Sequence, residues 1–198
     1  MGFVAVVIGY LLGSFPSAYI VARLRKGIDI RDFESGNVGA GNVHRNVGLK
    51  EAFIVGIADI AKGAGAILIA QAMDVSQPWV LGAGFSTLLG HNFPVYIGFR
   101  GGKGSAALVG IFLVLTPIAM LISVGILLIP LLITRNNAFS LFIGFVFLPL
   151  IIWLSGGSLA LVFYSLGVLI FLIARSFSTV KNALREATKG KATRFKDV

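Results

Sequence analysis

Apolar runs close to the length of a bilayer crossing recur from one end of this sequence to the other, and they dictate its fold class. They fall at 2–22, 52–72, 79–98, 105–116, 118–133, 138–155 and 158–175, against the roughly 20 residues that a spanning helix requires. Only 13% of the residues are charged, about half the share of an ordinary soluble domain. A chain of 198 residues has too small an interior to hide so much apolar surface. The expectation is an all-α integral membrane protein, one polytopic domain over 1–198.

The number of crossings turns on 105–133, where Thr116-Pro117 interrupts the apolar run. Proline removes a backbone donor and clashes with the preceding turn, so it ends or kinks a helix. Charge decides in favour of two short helices. With seven crossings and the N-terminus outside, the loops 23–51, 99–104 and 134–137 and the tail 176–198 all face the cytoplasm. Arg23, Arg25, Lys26, Arg31, Arg45 and Lys50, then Arg100 and Lys103, then Arg135, then Arg175 and the tail cations fall on that side. No Lys or Arg is left outside, which satisfies the positive-inside rule; six crossings would export Arg135 or the tail. Basic residues follow the first apolar run rather than precede it, so that run reads as a span and not as a cleavable signal.

The chain has no cysteine and only two histidines, His44 and His91. That excludes disulfides and thiol nucleophiles and leaves no histidine-rich metal centre; no cofactor is called for. The net charge of +9 sits between apolar runs rather than on an aromatic-studded soluble face. It therefore speaks for membrane lipids and anionic ligands and against nucleic acid.

Two loops carry chemistry. The first runs Glu34-Ser35-Gly36-Asn37-Val38-Gly39-Ala40-Gly41-Asn42-Val43-His44-Arg45. Its glycines let backbone amides turn toward an anion, and Ser35, Asn37 and Asn42 add neutral donors. Arg45 offers a bidentate fork for phosphate oxygens. Without further context the same pattern also describes a plain Gly/Asn turn. The second runs Gly90-His91-Asn92-Phe93-Pro94, then Phe99-Arg100-Gly101-Gly102-Lys103-Gly104-Ser105. A Gly-Gly-Lys-Gly-Ser turn opening a helix combines free amides, the positive dipole end and a lysine. It lacks the spacing of a nucleotide-binding P-loop, and no strand precedes it. Asp59 and Lys62, one helical turn apart within an apolar run, are expected to pair with each other or face an internal cavity. In the tail, Asn182 and Arg185 are one turn apart if helical and so placed to reach a ligand together.

Together these loops resemble the bacterial acyl-phosphate:glycerol-3-phosphate acyltransferase family, PlsY. The resemblance rests on Ser35-Gly36-Asn37-Val38-Gly39-Ala40-Gly41-Asn42-Val43 with Arg45, on Leu12-Gly13-Ser14-Phe15-Pro16-Ser17, on Asp59-Ile60-Ala61-Lys62-Gly63, and on the two halves of the second loop. It implies transfer of a fatty acyl group from acyl-phosphate to glycerol 3-phosphate, giving 1-acyl-glycerol 3-phosphate and phosphate at the cytoplasmic face of a bacterial plasma membrane. Ser35, Arg45, Lys103 and His91 would be the catalytic residues. Gly36, Asn37, Gly39, Asn42, Gly101, Gly102, Gly104, Ser105, Asn182 and Arg185 would bind substrate phosphates, with Asp59 and Lys62 in support. A substrate phosphate oxygen or His91 would take the hydroxyl proton.

The sequence departs from the family pattern in three places, one of them the loop Arg135-Asn136-Asn137-Ala138-Phe139-Ser140, which lacks the family's usual serine placement and has Ser140 as the substitute. Glu34 stands where the family has glycine, and either turns away or pairs with a nearby arginine. The third motif keeps Asn182 and Arg185 but has Thr179 in place of histidine and no glutamate near its end. Two alternatives follow. One is a catalytically weakened phospholipid-binding paralogue. The other is an organophosphate transporter, although no inverted repeat is visible. Nothing in the sequence fixes an oligomeric state, and a monomer would suffice.

Overall fold

The computed structural model of the protein describes residues 1–34, 36–134 and 137–175. Every regular element among them is helical. The α-helices are α1 (Gly2–Ser14), α2 (Ser17–Lys26), α3 (Ala40–Asn46), α4 (Leu49–Ala72), α5 (Gln77–Asn92), α6 (Ser105–Leu115), α7 (Pro117–Thr134), α8 (Asn137–Leu154) and α9 (Leu159–Arg175), with short 3-10 turns at Ile30–Asp32 and Val95–Ile97. The stretch Gly2–Lys26 and α4 are each long and apolar enough to cross a membrane, with mean hydropathies of 1.8 and 1.9. The apolar helices α6 to α9 are shorter. Ile118, Leu121, Leu132, Trp153, Phe163 and Ile170 lie exposed on the outer surface. In water such a face would be costly; against hydrocarbon it costs nothing.

Two apolar runs divide differently from expectation. The run 2–22 is two helices, not one. Pro16 has no N–H to give Leu12, so the chain leaves the helix at Phe15 and re-enters it at Ser17. The run 79–98 is helical only to Asn92, because Pro94 again removes a donor. Phe93 N–H closes the last turn on the Leu89 carbonyl at 2.7 Å, and Val95–Ile97 follows as a separate 3-10 turn.

Lipid supplies no hydrophobic force between helices, so close backbone approach must do the packing. α1 lies on α5 where a Cβ at Gly13 would strike the Thr87 carbonyl and one at Gly90 would strike that of Tyr10. α4 and α6 meet in the same way at Gly63 and Gly110, against the Ala107 and Ile60 carbonyls. One buried cluster, including Ile67, Leu88, Leu108, Phe112, Met120 and Phe145, ties α4 to α8 together. A second, with Ala18, Ala22, Ile30, Val38, Val43 and Val55, seats the connection between α2 and α4 on those two helices. That second cluster places the first glycine loop beside the second.

Candidate active site

The first glycine loop is held by side chains rather than left flexible. Asp29 Oδ1 accepts from the Arg31 N–H at 3.0 Å and from Arg31 Nε at 2.9 Å, while Nη2 reaches Oδ2 at 2.6 Å. This bidentate pair holds the Asp29 carboxyl at about 2, well below its ordinary value. Arg31 Nη1 then donates to the Ile97 carbonyl at 2.8 Å, so one arginine links this loop to the turn after α5. Inside the loop Asn42 is fully buried. Its Nδ2 donates to the Ile30, Phe33 and Asn37 carbonyls at 3.1, 3.1 and 3.0 Å, and its Oδ1 accepts from Asn46 at 2.7 Å. With both amide ends engaged, Asn42 shapes the loop from within. Gly36 takes φ +67, with its Cβ direction against the Arg31 carbonyl. Glu34 does not turn away: its Oε2 accepts from Arg45 Nε at 2.5 Å, and both side chains are partly exposed.

The second loop folds back on the end of α5. Gly102 N–H donates to the His91 carbonyl at 3.0 Å, and Val38 N–H donates to the Gly101 carbonyl at 3.4 Å. The two glycine loops are thus joined through their backbones. A Cβ at Gly102 would enter the His91 imidazole at Nε2 and the Val38 carbonyl, so this junction admits only glycine. Gly104, at φ +90, turns the chain into α6, and Ser105 is the first residue of that helix. Lys103, between them, is half-buried. Burial lowers its pKa below the ordinary lysine value, and the nearby Arg45 and Arg175 guanidiniums lower it further. Guanidiniums from two helices therefore act on Lys103, a field suited to a multiply charged anion.

Beneath the junction lies a buried ionic cluster. Lys62 Nζ sits 2.9 Å from Asp59 Oδ1 and donates to the Phe15 carbonyl at 3.1 Å, the carbonyl exposed by the Pro16 break. Ser17 donates to the same Asp59 oxygen at 2.7 Å. His91 Nδ1 lies 3.8 Å from that oxygen, too far for a hydrogen bond. A small cavity lined by Ser14, Ser17, Val38, Lys62, His91 and Gly101 connects the cluster to the loops.

The structure joins the loop of Gly36, Asn37, Gly39, Asn42 and Arg45 through Val38 to the loop of His91, Gly101, Gly102, Lys103, Gly104 and Ser105, and sets Asp59 and Lys62 beside His91. Ser35, Asn182 and Arg185 lie outside the described residues. Three contributors escape sequence reasoning. Ser17 stands in the motif Leu12–Ser17 that carries the resemblance, but nothing there points to Asp59 as its partner. Arg31 reads only as a loop charge. Asn92 is fully buried, and its Nδ2 donates to the Leu88 carbonyl at 2.8 Å and to the Lys103 carbonyl at 3.4 Å. Its signal in the sequence is its place in the motif Gly90-His91-Asn92-Phe93-Pro94, which does not show its partners.

Comparison with known proteins shows what the chain as a whole is similar to. Residues 3–186 match the family described as Glycerol-3-phosphate acyltransferase. Proteins named glycerol-3-phosphate acyltransferase from Prochlorococcus marinus (strain NATL1A) and Parasynechococcus marenigrum (strain WH8102) are 38% and 40% identical to the chain. Those alignments cover 87% and 89% of this chain and 88% and 84% of the relatives. Two crystal structures of PlsY, described as an integral membrane glycerol 3-phosphate acyltransferase in glycerol 3-phosphate and lysphosphatidic acid forms, superpose with TM-scores of 0.85 and 0.82. They are 30% and 28% identical and cover 93% of this chain and 92% of theirs.

Proposed function

The chain belongs to the glycerol-3-phosphate acyltransferase family, and from that premise we propose that it moves a fatty acyl group from acyl-phosphate to glycerol 3-phosphate. The observation that carries the reading is the backbone junction of the two glycine loops, which sets Arg45 and Lys103 around one space. Both substrates bring a phosphate, and a cationic cradle of amides, guanidinium and ammonium suits two such groups.

The donor is already a mixed anhydride, so no covalent acyl-enzyme is needed. A glycerol 3-phosphate hydroxyl oxygen attacks the acyl carbonyl carbon, the new ester C–O bond forms, and the C–O bond to phosphate breaks. The products are 1-acyl-glycerol 3-phosphate and inorganic phosphate. Lys103 and the loop amides stabilise the tetrahedral oxyanion and the leaving phosphate. Holding two substrates in line supplies much of the remaining acceleration. The hydroxyl proton goes to a phosphate oxygen; His91 Nε2, packed against Gly102, is the second acceptor in reach of the site. The resemblance assigns further phosphate contacts to Ser35, Asn182 and Arg185.

The acyl chain lies on the lipid side. Between α5 and α9 runs an apolar groove of about 360 Å³ lined by Leu81, Gly82, Phe85, Tyr164, Gly167 and Val168, and the chain extends along it. Seven crossings, with the N-terminus outside and the glycine loops facing the cytoplasm, put every described Lys and Arg except Lys62, which lies within α4, on one side. The test of the donor is a comparison of palmitoyl-phosphate with palmitoyl-coenzyme A under identical conditions, with lysophosphatidic acid read by mass spectrometry. Product from the phosphate alone supports the assignment, and product from the thioester alone overturns it.

A further inference from the structure

Arg175 enters the sequence reading only as a charge that fixes orientation, and a cation at the last turn of α9 complements the helix dipole wherever it points. The structure gives it a more specific place. Its Nε donates to Asn92 Oδ1 at 3.0 Å, its Nη2 approaches the Asn92 carbonyl at 3.5 Å, and its guanidinium lies 5.1 Å from the centre of the Phe93 ring. These contacts span 83 positions of sequence and fasten the end of α9 to the end of α5.

Asn92 is the link onward. Its amide is fully buried, with Nδ2 donating to the Leu88 carbonyl and to the Lys103 carbonyl. An arginine can only donate, so it fixes the Asn92 oxygen toward itself and the amide nitrogen toward Lys103. Gly104 lies on the far side of the same nitrogen, where an added Cβ would come 3.1 Å from it. We infer that Arg175 is a positioning residue, acting through the Asn92 amide on the backbone of the loop that carries Lys103. An interfacial anchor would need only the charge; this arrangement needs the planar fork and the asparagine behind it. The mutual effect of the Arg175 and Lys103 charges is consistent with their closeness. The inference rests on the acyltransferase reading of the site.

The test uses the full chain in lipid micelles, with palmitoyl-phosphate and glycerol 3-phosphate as substrates, and compares Arg175→Met, Arg175→Lys, Asn92→Ala and the double variant Arg175→Met/Asn92→Ala. A loop displaced by an ångström or less misaligns the reacting groups, so kcat in Arg175→Met is expected to fall about 10- to 100-fold with KM values within about threefold of the parent. Arg175→Lys should recover only part of the loss. The double variant should be no slower than Asn92→Ala alone, because both substitutions break one chain of contacts. An unchanged kcat, a rise in KM alone, full recovery with lysine, or additive losses would each overturn the inference. If Arg175→Met proves too unstable to assay, Arg175→Lys, which keeps the charge, and the same cycle built with it decide the question. Failure of the parent protein to turn over these substrates would instead overturn the functional reading.

Discussion

Lys62→Met removes one half of the buried ion pair and leaves the other half in place. Asp59 is 2% exposed and Lys62 9% exposed, and their atoms lie 2.9 Å apart. At an effective dielectric of about 20, two unit charges at that separation attract by about 6 kcal/mol, a gross figure that desolvation largely offsets. The net cost of removing one partner from such a pair is about 3–5 kcal/mol, because the survivor remains buried and charged. Asp59 would keep the Ser17 hydroxyl, and the Phe15 carbonyl would keep the Ser17 N–H at 3.1 Å, which argues for the lower end. The folding equilibrium of Lys62→Met should therefore shift by roughly 100-fold or more. Asp59→Asn/Lys62→Met, with both charges gone, should be markedly more stable than Lys62→Met. Reversible unfolding in mixed micelles, titrated from micellar detergent to denaturing detergent, measures all four members of the cycle. A Lys62→Met variant as stable as the parent, or a double variant that loses the sum of both singles, would refute the reasoning.

Lys103→Ala should lower kcat about 10²- to 10³-fold with folding intact, as expected for loss of an oxyanion donor; an initial-rate assay beside a melting curve checks both. His91→Ala separates the two proton acceptors: a rate near that of the parent, by the same assay, eliminates the imidazole as the base. Glu34→Gln should free Arg45 for phosphate and lower KM for glycerol 3-phosphate by about 1.4- to fivefold, the scale of an exposed ion pair of about 0.2–1 kcal/mol. Lys103 acts as the ammonium form, and its pKa is lowered from 10.5. The alkaline limb of kcat/KM should therefore fall below 10.5, and pH–rate profiles should show the Arg45→Ala variant, if its residual rate suffices, with that limb moved up. Asp29 works in the opposite range: its folded value of about 2 lies below 3.8, so its stabilisation is complete above 3.8 and lost as pH falls through about 2. Asp29→Asn should remove that part of the acid unfolding curve. A Cβ at Gly167 meets nothing within 4 Å, so Gly167→Leu should fill the groove without disturbing packing and move the donor preference toward shorter chains, read from rates across an acyl-phosphate series.

What the sequence made legible follows from which forces are local. Helical character shows in the apolar runs, and both glycine loops show in the residues a phosphate needs. Asp59 and Lys62 announce their pairing because two charges one turn apart in an apolar run have few other options. The Glu34 alternatives were also visible, and the structure chooses pairing with Arg45. The break at Phe15–Pro16 follows from the proline alone, but what makes it tolerable lies far along the chain. Lys62, 47 positions away, satisfies the carbonyl that the break exposes and so makes it tolerable within an apolar run. Asn42 looked like a phosphate donor because asparagine serves equally as ligand contact and as internal brace. Only the three carbonyls around its nitrogen decide between those uses. Arg31 and Arg175 were unreadable for the same reason: their partners, Ile97 and Asn92, are distant in sequence and adjacent in space.

The most direct measurement is phosphate release from palmitoyl-phosphate by the purified protein in lipid micelles, with and without glycerol 3-phosphate, in the parent and in Lys103→Ala. The account predicts release that requires glycerol 3-phosphate, equals the lysophosphatidic acid formed, and nearly vanishes in Lys103→Ala. Folded parent protein that releases no phosphate, or a Lys103→Ala variant that releases it at the parent rate, would contradict it.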